Sequence, residues 1–96
     1  MMNDNILIEI HIISQNKKSL LDIDCILAID TTISDLLEII FTNYNFEPEG
    51  IAAMFAFVPF VNDPLEIHKQ DCIKTLRDLD FSNGVTIRII YAGDAV

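Results

Sequence analysis

From Ile6 to Ile13 the chain reads Ile-Leu-Ile-Glu-Ile-His-Ile-Ile, placing Ile6, Ile8, Ile10 and Ile12 on one side and Leu7, Glu9, His11 and Ile13 on the other. A two-residue period of this kind predicts a strand with one wholly apolar face. Polar residues from Ser14 to Ser19 turn the chain, and Ile23, Cys25, Leu27 and Ile29 resume the same period, so an N-terminal hairpin with a return strand over Ile23–Ile29 is expected. The period then changes. Ile33, Leu36, Leu37, Ile40 and Tyr44 recur at spacings of three and four, which predicts a helix from Thr32 to about Tyr44 with one buried stripe. Thr32 followed three residues later by Asp35 matches a capping box, in which the threonine oxygen takes a free amide and the carboxylate sits at the positive end of the helix. Glu47-Pro48-Glu49-Gly50 ends the helical region, because neither its proline nor its glycine continues a helix.

Beyond that break the apolar and aromatic residues cluster around Met54–Val58, which predicts a strand ending at Pro59. Asn62-Asp63-Pro64 reads as a turn, and Leu65–Ile67 as a brief edge strand. Thr75–Phe81 forms a compact turn whose Leu76, Leu79 and Phe81 point into the core. Ser82-Asn83-Gly84 reverses the chain into a last strand, in which Val85, Ile87, Ile89 and Tyr91 face one way. The predicted order is β-β-α-β-β(short)-turn-β: an α+β fold with one mixed sheet on one helix, the first and last strands central and paired.

The 96 residues allow one domain, spanning 1–96, with a short flexible tail expected over 92–96. Apolar residues make up 51 %, too many for a disordered chain. Fifteen acidic against six basic residues give a net charge of −9, which argues against a nucleic-acid partner, because phosphate recognition needs clustered cations. Such a charge maintains solubility and steers the chain towards basic partner surfaces. The longest strictly apolar run, the eight residues Ile51–Val58, is too short to enter a bilayer as a span, and no basic leader opens the sequence, so a cytoplasmic protein is expected.

Three pieces of this pattern resemble the ubiquitin-like β-grasp superfamily. They are the hairpin leading into Asp30-Thr31-Thr32-Ile33-Ser34-Asp35-Leu36-Leu37, the turn Thr75-Leu76-Arg77-Asp78-Leu79-Asp80-Phe81, and the strand Thr86-Ile87-Arg88-Ile89-Ile90. Ubiquitin has a capping threonine and isoleucine, a Thr-Leu-x-Asp turn and a Thr-Leu-x-Leu-Val strand in the same order. The resemblance implies a four- to five-stranded β-grasp sheet. Its residues are structural, so it carries a fold rather than an activity. Conjugated and sulfur-carrying members end in Gly-Gly, whereas this chain continues Tyr91-Ala92-Gly93-Asp94-Ala95-Val96. Gly93 is therefore the one possible processing site, and a modifier or sulfur carrier is the alternative function. Members without the diglycine include the small ubiquitin-like component of Gram-positive type VII secretion systems and an accessory subunit of diiron monooxygenases. A high Ile and Asn content suggests an AT-rich bacterial genome and favours the former. The resemblance implies a non-catalytic adaptor that docks on a protein partner, such as a larger membrane-associated or enzyme complex.

Superfamily members dock through the sheet face opposite the helix. On this chain that face is expected to show Leu7, Glu9, His11 and Ile13, with Phe55 and Phe57 from the middle strand and Arg88 and Ile90 from the last. The interaction patch is assigned to Leu7, His11, Phe57, Arg88 and Ile90. A one-residue slip at Pro59 would turn Phe55 and Phe57 inward instead, and self-association through the same patch is the other use of such a surface. Metal and catalytic readings find little to build on. His11 and His68 belong to no HxH or HExxH motif. Asp22, Asp24, Asp78 and Asp80 lack the spacing and glycine of a calcium loop. Cys25 and Cys72 lie far apart in apolar stretches, where free cysteine acts as a small buried hydrophobe. Gly50, Gly84 and Gly93 form no phosphate loop. No metal and no cofactor is expected, and no enzyme.

Overall fold

Ile6, Ile8, Ile10 and Ile12 are all buried while Leu7, Glu9, His11 and Ile13 turn to the other face, so the first strand realises its two-residue period in full. The computed structural model, which describes residues 4–93, continues from β1 (Asn5–Ser14) through β2 (Ser19–Ala28), α1 (Ile33–Tyr44), β3 (Ile51–Phe57) and β4 (Leu65–Glu66) to β5 (Val85–Tyr91). The sheet order is β2-β1-β5-β3-β4. β1 and β5 are parallel, and the other neighbours are antiparallel. The two strongest apolar strands are therefore central and adjacent, as their patterns predict. Ile8 faces Val85, Ile10 faces Ile87 and Ile12 faces Ile89. All six are fully buried or nearly so, and α1 covers them with Ile33, Leu36, Ile40 and Phe41.

The entrance to α1 is held twice. Thr32 Oγ1 accepts from the Asp35 amide at 3.1 Å, and the Thr75 turn locks onto the same point. There Ile33 N donates to Lys74 O and Leu76 N to Thr31 O, both at 3.0 Å. The turn is rigid in itself, because Thr75 N donates to Asp78 Oδ2 while Asp78 N donates to Thr75 Oγ1, each at 3.0 Å. Leu76 and Phe81 are buried in the core as expected, with Leu79 packed at its margin. At the opposite reversal Gly84 takes a φ of 91°, which a side chain would oppose. Its amide donates to Leu7 O.

Several expectations need correction. The helical stripe ends in Phe41 rather than Tyr44. Phe41 meets Tyr91 edge-to-face at 6.3 Å, whereas Tyr44 is 45 % exposed in the last turn before Asn45 caps it in the left-handed conformation. β2 starts at Ser19, four residues before the predicted start, because pairing with β1 carries extended structure back towards the turn. β3 starts at Ile51 and ends at Phe57, with an irregularity between Ile51 and Ala53. Lys69–Ile73 forms a 3-10 turn that no periodicity announces. Both cysteines are free and only half-buried, which still raises each thiol pKa chiefly through lost hydration. Among the described residues no helix is long and apolar enough to cross a membrane.

Replacing Ile10 by Ala is expected to cost about 2–5 kcal/mol, because it opens a void at the fully sealed strand pair. Thr32→Ala should cost about 1 kcal/mol through loss of the cap. Denaturant unfolding measures both. On the surface, Arg77 Nε donates to Asp30 Oδ1 at 2.9 Å, and this hydrogen bond holds the Asp30 carboxyl below the ordinary aspartate range. A depressed folded-state pKa means that its contribution is complete above the ordinary range and disappears as pH falls through the lowered value. Carboxyl NMR titration should find Asp30 lowered, and Arg77→Gln should return it upward.

Candidate interaction face

With α1 on one side only, the other face of the sheet is open, and the strand registers arrange its side chains in cross-strand rows. Asp22, His11, Arg88, Phe55 and Glu66 form one row across all five strands. Asp24, Glu9, Thr86 and Phe57 form the row on one side of it. Ile13 and Ile90 lie together on the other. Met54 and Ala56 are buried, so Phe55 and Phe57 point outward and the one-residue slip at Pro59 does not occur.

The rows line a shallow concavity of about 720 Å³, with His11, Ile13, Phe55, Phe57, Arg88 and Ile90 along the sheet. Gln15 and Lys17 of the β1–β2 turn and Pro64 ahead of β4 also line it. The Arg88 guanidinium lies 4.9 Å from the centre of the Phe57 ring, a cation–π contact that holds both side chains in place. His11 Nε2 lies 3.1 Å from Asp22 and 3.8 Å from Glu9. Glu9 also accepts from Thr86 Oγ1 at 3.0 Å. The floor is thus apolar, with one preset cation and a tethered imidazole.

Of the five residues assigned to the patch, the structure gathers His11, Phe57, Arg88 and Ile90 at the concavity. Leu7 is exposed on the same face but outside it, opposite Ile26 on β2. Asp22 and the Gln15, Lys17 and Pro64 contributions were not legible, because they depend on the hairpin register and on loops folding beside the sheet. Phe60 is a further unpredicted feature. It stands fully exposed in the β3–β4 loop at a φ of 67°, which non-glycine residues rarely adopt.

Among the described residues no group of three or more His, Cys, Asp or Glu side chains could hold a metal, and no charged side chain is buried. His68 lies away from His11, within the Lys69–Ile73 turn's own capping contacts. The Gly93 backbone lies against the Tyr91 ring: a Cβ there would fall 2.6 Å from ring atoms. Ala92 N donates to Gly50 O at 2.6 Å. Ala92 and Gly93, the first residues of the predicted tail, thus touch the body of the fold, and residues 94–96 lie outside those described.

No protein-family model and no curated protein matches the chain. Solved structures do. The C-terminal ubiquitin-like domain of mouse tubulin-specific chaperone e superposes with a TM-score of 0.67 at 10 % identity, covering 99 % of this chain and 96 % of that one. The N-terminal ubiquitin-like domain of tubulin-binding cofactor B from Drosophila melanogaster gives 0.63 at 14 %, covering 94 % and 87 %. Ubiquitin of Caldiarchaeum subterraneum gives 0.61 at 11 %, covering 94 % and 99 %. The fold is the ubiquitin-like β-grasp. At these identities the likeness extends to architecture alone, so what the β-grasp presents must be argued from its own residues.

Gly93→Ala tests the packing of the last described residues. The added methyl should displace the Tyr91 ring and weaken the 2.9 Å hydrogen bond from Glu47 N to its hydroxyl, costing about 1–3 kcal/mol. Thermal unfolding and the Tyr91 ring resonances report the change. Unaltered stability would mean that Gly93 is not needed for packing.

Proposed function

We propose that this β-grasp domain is a non-catalytic adaptor that binds a protein partner through the concave sheet face, with Phe57, Arg88, Ile90 and His11 as its anchors. The observation that carries this reading is Arg88 stacked on Phe57 beside the Ile13–Ile90 pair, on a face that no element of the described chain covers. Aromatic and arginine side chains held in place before binding lose little freedom on contact, and such residues dominate interface energies. Asp22 and Glu66 stand at the two ends of the central row, and the chain carries −9 overall. These charges favour a partner that presents an apolar knob ringed by basic side chains.

The secretion-system assignment draws no support from the solved structures named above, which establish the fold alone. The partner is therefore described by its chemistry. The alternative of a modifier processed at Gly93 meets an obstacle in the packing of Gly93 on Tyr91 and the Ala92–Gly50 hydrogen bond, since an activating enzyme requires a free thread.

The test is co-purification from the native host with intact mass measurement. A non-covalent complex is expected, weakened about thirtyfold or more by Phe57→Ala in line with loss of a binding hot spot, while circular dichroism stays native. A partner retained by Phe57→Ala and by Ile90→Asp would contradict the assignment. So would a chain whose mass ends at Gly93 in an isopeptide or thiocarboxylate.

A further inference from the structure

Of the chain's seven asparagines only Asn83 precedes a glycine. With no Cβ on Gly84, nothing shields the amide nitrogen from the carboxamide carbon of the residue before it. The pair sits in the turn that leads into β5, where Val85 N donates to Ser82 O at 3.3 Å and Gly84 takes its φ of 91°. Asn83 and Gly84 are both exposed to water. What restrains them is one residue of β1. Leu7 N donates to Asn83 Oδ1 at 2.8 Å, and Gly84 N donates to Leu7 O at 2.9 Å. These two hydrogen bonds finish the β1–β5 ladder one residue ahead of its first pair, Ile8 with Val85.

We propose that Asn83 is a self-modification site, deamidating through a cyclic imide whenever the β1–β5 ladder opens at Leu7. In the reaction Gly84 N attacks Asn83 Cγ. The N–Cγ bond forms and the Cγ–Nδ2 bond breaks, and the side-chain nitrogen leaves as ammonia with the proton that Gly84 N gives up. Water then opens the imide. Attack at Cγ gives aspartate, and attack at the main-chain carbonyl carbon gives isoaspartate. Either product adds one negative charge to a chain already at −9. The closed ladder opposes the first step twice: the Gly84 proton is held by Leu7 O, and the carboxamide is anchored through Oδ1. Local opening releases both groups together, so the reaction rate follows the open population.

The two products affect the fold differently. Aspartate still offers a side-chain oxygen to Leu7 N and leaves the turn's backbone unchanged. In isoaspartate the chain runs through Cγ, so the former Oδ1 becomes the main-chain carbonyl oxygen and the backbone is one methylene longer. Leu7 then loses the spacing that lets it hold both partners, directly beside the sealed Ile8 and Val85. The modification therefore records each opening covalently and weakens the central strand pair.

The test incubates the full chain at mildly alkaline pH, folded in buffer and unfolded in guanidinium chloride. Intact mass follows deamidation, and peptide mapping assigns the residue and separates aspartate from isoaspartate. In the unfolded chain Asn83 should react ahead of the other asparagines, and Asn83→Gln, whose longer side chain would need a larger ring, should remove that fast phase. Folding should slow the reaction about tenfold or more, by a factor that matches the exchange protection of the Gly84 amide within about threefold. After refolding, the isoaspartate form should melt about 4 °C or more below the original chain, while Asn83→Asp stays within about 2 °C of it. Equal rates in the folded and unfolded chain, a folded rate faster than Gly84 opening allows, or an unfolded chain that reacts first elsewhere would each overturn the proposal. An isoaspartate form as stable as Asn83→Asp would also contradict it.

Discussion

Parallel strands cannot be joined by a tight turn, and here the parallel pair β1 and β5 lies at the centre of the sheet. Their pairing makes a crossing connection unavoidable, and α1 supplies it on one face. Ile8, Ile10, Ile12, Val85, Ile87 and Ile89 need that cover because their alternation aims them all at it. The cap at Thr32 and the Thr75 turn fix where the helix enters, and so fix which residues it seals. A single helix covers a single face. The opposite face must therefore carry whatever the intervening positions of the same strands supply.

Those intervening positions were legible because a two-residue period assigns both faces at once. Ile87 and Ile89 inward means Arg88 and Ile90 outward, and β1 gives His11 by the same reasoning. The helix was legible from its stripe and cap. What escaped depends on distant contacts. Phe41 displaces Tyr44 from the stripe because Tyr91, half a chain away, offers its ring an edge-to-face partner. The start of β2 is set by pairing with β1 rather than by its own pattern. The Lys69–Ile73 turn is held by its own local contacts, the His68 amide to Asp71 among them, and short 3-10 pieces leave no periodic signal. Gly93 invited a chemical reading from the sequence. In the fold it is the residue that fits over Tyr91.

The chemistry of the two faces is uneven. The described interior holds no polar or charged side chain, while the concave face combines a stacked arginine, a tethered histidine and paired isoleucines. The ubiquitin-like fold leaves this choice open, since its architecture is shared by the tubulin chaperone and cofactor domains and by archaeal ubiquitin at 10–14 % identity. Function is thus written in side chains that the architecture positions but does not specify.

One face of the sheet is sealed and the other open. Methyl NMR of the full chain with a soluble paramagnetic relaxation agent tests it directly. Methyls of Leu7, Ile13 and Ile90 should relax strongly, while those of Ile8, Ile10, Ile12, Ile87 and Ile89 stay protected at every protein concentration. Comparable relaxation on both faces would contradict the one-sided core, and protection of the Ile13 and Ile90 methyls that grows with concentration would show that the open face closes on a second copy.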